Sequence, residues 1–211
     1  MNDNETSMTL LSLFRMGGVF MWPLLAFSVA TVSITLERII FIIRCNLRLD
    51  DIKEQLIKFI GDKDFEGARN FLLGKKQKRL GARVLFALFE FPELRGQRLE
   101  LEANAEAEAA DCVASLENGF DYLTALGSLA PVTGFLGTVS GMIGAFKSIA
   151  DATEVNAQIV ANGIYEALIT TVFGLIIAII AMTAGSVLSH IVDSFSNDVE
   201  TSCLKLIKML K

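Results

Sequence analysis

The chain has little of what usually carries site chemistry: 3 cysteines, 1 histidine and 3 prolines in 211 residues. Cys45, Cys112 and Cys203 stand far apart and form no CxxC or metal-ligand spacing, so neither a zinc site nor a redox motif is expected. A lone His190 builds no triad. No nucleotide-binding loop and no constellation of nucleophile, base and orienting group occurs, which argues against an enzyme and against a bound cofactor. The net charge of -5 is spread as basic residues among acids, leaving no nucleic-acid patch. Acids are also missing from the middle of every long apolar stretch.

Those apolar stretches are what the chain does have. Hydrophobic residues make up 52% and charged residues 20%, and the two classes are segregated along the sequence. Such segregation fits membrane spans joined by a water-soluble region better than one soluble core. Spans need roughly 20 apolar residues, and the sequence offers them at 17–43, 119–150 and 162–191. The expected fold class is all-α: an integral membrane protein with three transmembrane helices, extended by long helices into a water-soluble helical region. Glu37 and Arg38 fall inside the first span, where they can pair or snorkel at an interface.

Basic residues set the orientation. Arg38, Arg44, Arg48, Lys53 and Lys58 crowd the end of the first span, whereas the loop DATEVNAQIV has none. By the positive-inside rule, residues 1–16 and 151–161 face outward, while 44–118 and 192–211 are cytoplasmic. The first span reads as no cleavable signal, because its apolar run is long and its leading flank is acidic. Thiols on the cytoplasmic side stay reduced and inert.

Within the 44–118 region the sequence predicts short amphipathic helices over LRLDDIKEQLIKFI, stopped by Gly61, over DFEGARNFLLG, with Asp62 as its N-cap and Gly74 closing it, and over ARVLFALFEF up to Pro92. The KKQKR run reads as a basic turn. From Gln97 the Ala/Glu-rich stretch has high helix propensity and is expected to run unbroken into the second span, about 50 residues or some 75 Å. Its acids Glu100, Glu102, Glu106, Glu108, Asp111 and Glu117 form either a solvated surface or a vestibule that attracts cations. A further interfacial helix is expected over residues 8–16.

The second and third spans carry small-residue faces. Gly134, Gly137, Gly141 and Gly144 stack on one face of the second, and Gly174 opens a small face on the third. In lipid such seams allow close backbone approach, because water supplies no driving force there. Pro131 removes the backbone bond to Gly127 and is expected to kink the helix. Thr138, Thr170 and Thr171 are either locally back-bonded hydroxyls or the lining of a packed or hydrated path. Glu166 is either a carboxylate stabilised by the helix N-terminus or a relay for a cation. Lys147 snorkels or pairs with Glu166. Threonine cannot titrate at accessible pH, so a proton path here needs a carboxylate from a second chain.

LGSLAPVTGFLGTVSGMIGAF and GIYEALITTVFGLIIAI resemble the second and third spans of the MotA/TolQ/ExbB proton-channel family, in its ExbB/TolQ branch. Ser140 and Ile180 depart from the tryptophan and proline that relatives often carry. The resemblance implies a homo-oligomeric, pentameric ring in the bacterial inner membrane, around a dimer of an ExbD/TolR-like single-span protein that supplies the titrating aspartate. It implies ion-path roles for Thr138, Glu166 and Thr171, while Thr170 and Lys147 stand as secondary candidates from the residues alone. It further implies a TonB- or TolA-like envelope partner driven by the proton motive force. The competing expectation is a passive oligomeric scaffold that conducts nothing.

Overall fold

The computed structural model describes Phe14 and residues 17–90, 97–151 and 157–210; the side chains of Arg98, Ala157, Ile159, Val160, Asn162 and Glu166 fall outside that description. The helix expected over residues 8–16 lies outside the described residues, Phe14 apart. Seven helices are defined among the described residues: α1 Met21–Cys45, α2 Asp50–Gly61, α3 Phe65–Lys75, α4 Leu80–Ala87, α5 Arg98–Glu117, α6 Phe120–Asp151 and α7 Ala157–Met209. Among the described residues, three stretches of helix are long and apolar enough to cross a membrane. The protein is thus an all-α, multi-pass membrane protein. The chain divides into two compact units, residues 1–35 with 121–185, and residues 36–120 with 186–211.

The first unit is built from the N-terminal part of α1, nearly all of α6 and the N-terminal half of α7. Met21 and Leu24 of α1 are buried with Ala130, Ile169 and Ile177, and Phe14, Phe27, Tyr165 and Phe173 pack against them. Gly18, with φ 66°, turns the chain just ahead of α1 in a conformation that favours glycine. Large apolar side chains such as Val132, Phe135, Ile143, Phe146, Leu168, Val172 and Ile179 are more than half exposed. That is the distribution expected where hydrocarbon or another apolar chain, rather than water, is the neighbour.

The second unit is held by large side chains. Leu49, Ile52, Leu56 and Ile60 of the α2 stripe are buried, as are Leu72 of α3, Val84, Leu85 and Phe86 of α4, and Leu101, Ala105, Cys112 and Leu116 of α5. The same unit buries Leu188, Val192, Phe195, Val199 and Leu206 on α7. Along α2, and from Leu188 to Val199 on α7, these positions recur every three or four residues, as the amphipathic pattern requires, whereas α4 buries Val84, Leu85 and Phe86 in succession. The α2–α3 turn differs from its sequence expectation. Lys63 takes φ 59°, and the N-cap is Asp64 rather than Asp62, its carboxylate accepting the Gly67 N–H at 2.8 Å. The αL residue turns the chain before the new helix, so the side chain nearest the free amides caps them.

The expected unbroken helix from Gln97 into the second span does not form. It ends at Glu117 and restarts at Phe120. Asn118 has ψ 124° and Gly119 φ 94°, a left-handed residue that no helix interior contains. The Ala/Glu propensity of α5 is overridden by this Asn-Gly pair.

Candidate functional site

The site lies in the first unit, where α6 and α7 run antiparallel with their backbones nearly touching. A Cβ on Gly134 would sit 2.7 Å from the Thr170 carbonyl oxygen and 3.1 Å from Thr171 Cα; one on Gly174 would sit 3.3 Å from Gly134 Cα. One on Gly137 would meet Thr170 Cβ at 2.7 Å, and one on Gly141 would meet Ala167 Cβ at 3.1 Å and the Gly163 carbonyl at 3.2 Å. Further along, a Cβ on Gly127 would lie 2.7 Å from Met182 Cγ. Numbers rise along α6 as they fall along α7, so one seam of small residues joins the helices over several turns.

This geometry has an electrostatic consequence. Close approach brings side-chain hydroxyls of one helix onto backbone carbonyls of the other. Thr170 Oγ1 lies 3.1 Å from the Gly134 carbonyl oxygen and 2.8 Å from that of Ala167. Thr171 Oγ1 donates to the same Gly134 carbonyl at 3.2 Å. Thr170 is 1% exposed, and Thr171 is half-buried. Thr138, one turn beyond Gly134, is also half-buried, but its hydroxyl donates within its own helix to the Phe135 carbonyl at 2.6 Å.

The sequence-derived residues therefore separate. Thr138, Thr170 and Thr171 gather around Gly134, with Thr170 the most deeply buried of the three. Gly134, Gly137, Gly141 and Gly174 lie in the seam. Gly144 does not: a Cβ there would meet nothing within 4 Å. It borders an open groove of about 330 Å³, lined also by Ser140, Gly141, Ser148 and Gly163. Pro131 is half-buried inside α6, and the helix continues through it to Asp151. Lys147 is exposed near the end of α6. Glu166 is on α7, one turn before Thr170, and its side chain lies outside the described residues. His190 is exposed on α7 in the second unit.

Two features escaped the sequence reading. Gly163 packs against Ala145, whose Cβ would lie 2.6 Å from a Cβ at that glycine. The signal was present: Gly163, Ala167, Thr170, Gly174 and Ala178 keep the spacing of one helix face. In α1, Thr31 is 1% exposed, and neither its hydroxyl nor that of Thr35 has a hydrogen-bond partner among the described residues.

In the second unit the basic turn is used internally. Arg79 donates to Asp51 at 2.6 and 3.0 Å and to the Arg48 carbonyl, Lys75 lies 3.9 Å from Asp51, and Lys76 stacks over Phe86 at 4.1 Å. The Arg79 hydrogen bond, offset in part by burial, holds the Asp51 carboxyl below its ordinary range. Of the α5 acids, Glu108 pairs with Arg83, while Glu102 and Glu106 border a groove of about 460 Å³ between α5 and α7 that also takes in Glu200 and Cys203. Burial pushes Cys112 up to about 11 and Cys203 up to about 12, so both thiols are poor nucleophiles at neutral pH. No group of three or more His, Cys, Asp or Glu that could hold a metal occurs among the described residues.

Together these features define a multi-pass helical membrane protein whose inter-helix contact is made of glycine and threonine hydroxyls, without a described titrating group at its centre. Residues 76–201 match the MotA/TolQ/ExbB proton channel family. The chain is 32% identical over 183 residues to a putative biopolymer transport protein, ExbB-like 1, of Synechocystis, covering 85% of this chain and 70% of that one. It is 41% identical over 100 residues to the Tol-Pal system protein TolQ of Haemophilus influenzae, covering 47% of this chain and 41% of that one. With the biopolymer transport protein ExbB of Salmonella typhimurium it shares 36% identity over 77 residues, 36% of this chain and 32% of that one. The chain belongs to the MotA/TolQ/ExbB proton channel family, on its ExbB/TolQ branch. That is a family of channel-type energiser subunits rather than of enzymes.

Proposed function

We propose that this protein is the ring-forming subunit of a proton-driven motor in the bacterial inner membrane. Copies of the chain, five to a ring, surround a dimer of an ExbD/TolR-like single-span protein. The ring passes protons along the α6–α7 face and transmits work to a TonB- or TolA-like envelope partner. The amino terminus faces the periplasm and the carboxy terminus the cytoplasm, an orientation supported by the basic residues after the first span.

The observation that carries the reading is the convergence of Thr170 and Thr171 on one carbonyl beside Thr138, within a seam that admits no bulky group. Hydroxyls in this setting can hydrogen-bond a carboxylate but cannot store a proton. The charge carrier is therefore the partner's aspartate, with Thr138 and Thr171 along its route and Glu166 drawing cations toward it. One charge moving through 100 mV releases about 2.3 kcal/mol, so several per cycle suffice to move a bound element.

The test replaces Thr138 by Val, Thr171 by Val and Glu166 by Gln at normal expression, and measures an energised outer-membrane process. Large losses with intact complexes are expected for Thr171→Val and Glu166→Gln. Full activity in all of them leaves the passive scaffold as the better account. For Thr138 that account has a specific support, since its hydroxyl is already spent on Phe135.

A further inference from the structure

Two hydroxyls compete for one place on the Gly134 carbonyl. A carbonyl oxygen has two lone pairs, and the α-helical register assigns one of them to the Thr138 N–H. Both Thr170 Oγ1, at 3.1 Å, and Thr171 Oγ1, at 3.2 Å, lie within reach of the remaining one. Each hydroxyl has a single proton to donate. Thr170 alone of the two has a second recorded acceptor, the Ala167 carbonyl at 2.8 Å. The resting arrangement is then fixed: Thr171 donates to Gly134, and Thr170 donates to Ala167 while standing within reach of Gly134.

We infer that Thr170 is a stand-by donor that frees Thr171 for the ion path. When Thr171 turns its hydroxyl toward a partner carboxylate, the buried Gly134 carbonyl loses a hydrogen bond. The carbonyl keeps the Thr138 N–H, but the hydrogen bond that Thr171 makes across the α6–α7 seam is lost, and losing a bond between helices opposes the turn. Thr170 restores the bond across the seam by rotating its hydroxyl proton about the Cβ–Oγ1 bond from Ala167 to Gly134, exchanging a bond within α7 for one between α7 and α6. The Ala167 carbonyl keeps its own helical N–H partner from Thr171, so nothing is orphaned. No covalent bond is made or broken and no heavy atom has to move. Thr170 is held for this task by burial and by its close fit against Gly137. It is a positioning residue that acts through Thr171, and the inference rests on the proposed ion path.

The experiment measures proton flux in proteoliposomes holding the complete complex of this chain with its single-span partner, under an imposed membrane potential. Thr170→Val keeps the shape and removes the donor, Thr170→Ala removes the donor without crowding, and Thr170→Ser keeps the donor with less packing. Val and Ala are expected to lower flux roughly tenfold, and Ser to stay within about twofold of the native chain. The double variant Thr170→Val with Thr171→Val is expected to match Thr171→Val alone, because the stand-by has no purpose once Thr171 cannot leave. Full flux in both Val and Ala overturns the inference. So does an equal loss in Val and Ser, which marks packing, or an additive loss in the double variant. If Thr171→Val itself conducts fully, the ion path falls, and the inference falls with it for that separate reason.

Discussion

The two units of this protein build their interiors from opposite materials. The first closes α6 on α7 with glycine, alanine and threonine, and, apart from a cluster around Met21, Leu24, Ile169 and Ile177, leaves many of its large apolar side chains outside. The second buries leucine, isoleucine, valine and phenylalanine, and turns lysine, arginine and glutamate outward. Each suits its surroundings. In water, burying a large side chain is what stabilises a fold. In hydrocarbon that gain vanishes, and what remains is dispersion between backbones in contact and hydrogen bonds made across the contact. Close backbone contact in turn places carbonyls where threonines can reach them, so the packing rule of the first unit also creates its candidate site.

The contrast can be broken at either end. Leu56 is fully buried in the second unit, and Leu56→Ala is expected to destabilise it by about 2–5 kcal/mol, read by thermal unfolding of the detergent-solubilised protein. In the first unit the sensitive change is the opposite one. Gly134→Ala adds a methyl 2.7 Å from the Thr170 carbonyl and is expected to cost about 1–3 kcal/mol through overpacking. If truncation at Leu56 were harmless and Gly134→Ala improved stability, the division of materials would be wrong.

Smaller effects sharpen it. Asp64→Ala removes the α3 cap and is expected to lose about 1 kcal/mol of helix stability, seen as faster amide exchange over Phe65–Ala68. The Asp51–Arg79 pair has a pH signature. Because the folded-state pKa of Asp51 is depressed, its contribution is complete above the ordinary aspartate range and is lost as pH falls through the lower folded value. With Asp51 more than half exposed, the effect is modest, and Asp51→Asn should flatten the acid limb of the stability curve slightly. Gly144→Ala is expected to change the stability of the isolated chain least, since a Cβ there meets nothing within 4 Å.

Much of this was legible in the sequence, and for identifiable reasons. The presence of three long apolar helices, the glycine spacing on α6 and the stripe of α2 rest on apolar run length and periodicity, which a sequence displays directly. The resemblance carried by the GTV and EAL segments pointed to the family that the comparisons with known proteins support. What depended on three-dimensional registration was not legible. Which threonine is most deeply buried follows from where α7 slides along α6, and that places Thr170 over Gly137. The α5–α6 break turns on a single Asn-Gly step, outvoted by the propensity of its neighbours. The α3 cap moved from Asp62 to Asp64 because Lys63 adopts the left-handed turn, a choice that composition does not announce. Gly144 shares the spacing of its seam neighbours, yet the seam continues through Ala145, which packs against Gly163, and Gly144 is left bordering an open groove.

The proposal stands on one claim: among the described residues the α6–α7 face offers hydroxyls and backbone but no titrating group at its centre, so the proton carrier comes from a partner. Its most direct test is the proton flux of the purified chain reconstituted alone in proteoliposomes, set against the same chain with its single-span partner, under the same membrane potential. The account predicts no selective flux from the chain alone and flux from the complex that is abolished when the partner's membrane aspartate becomes asparagine. Selective proton current through the chain by itself would contradict it.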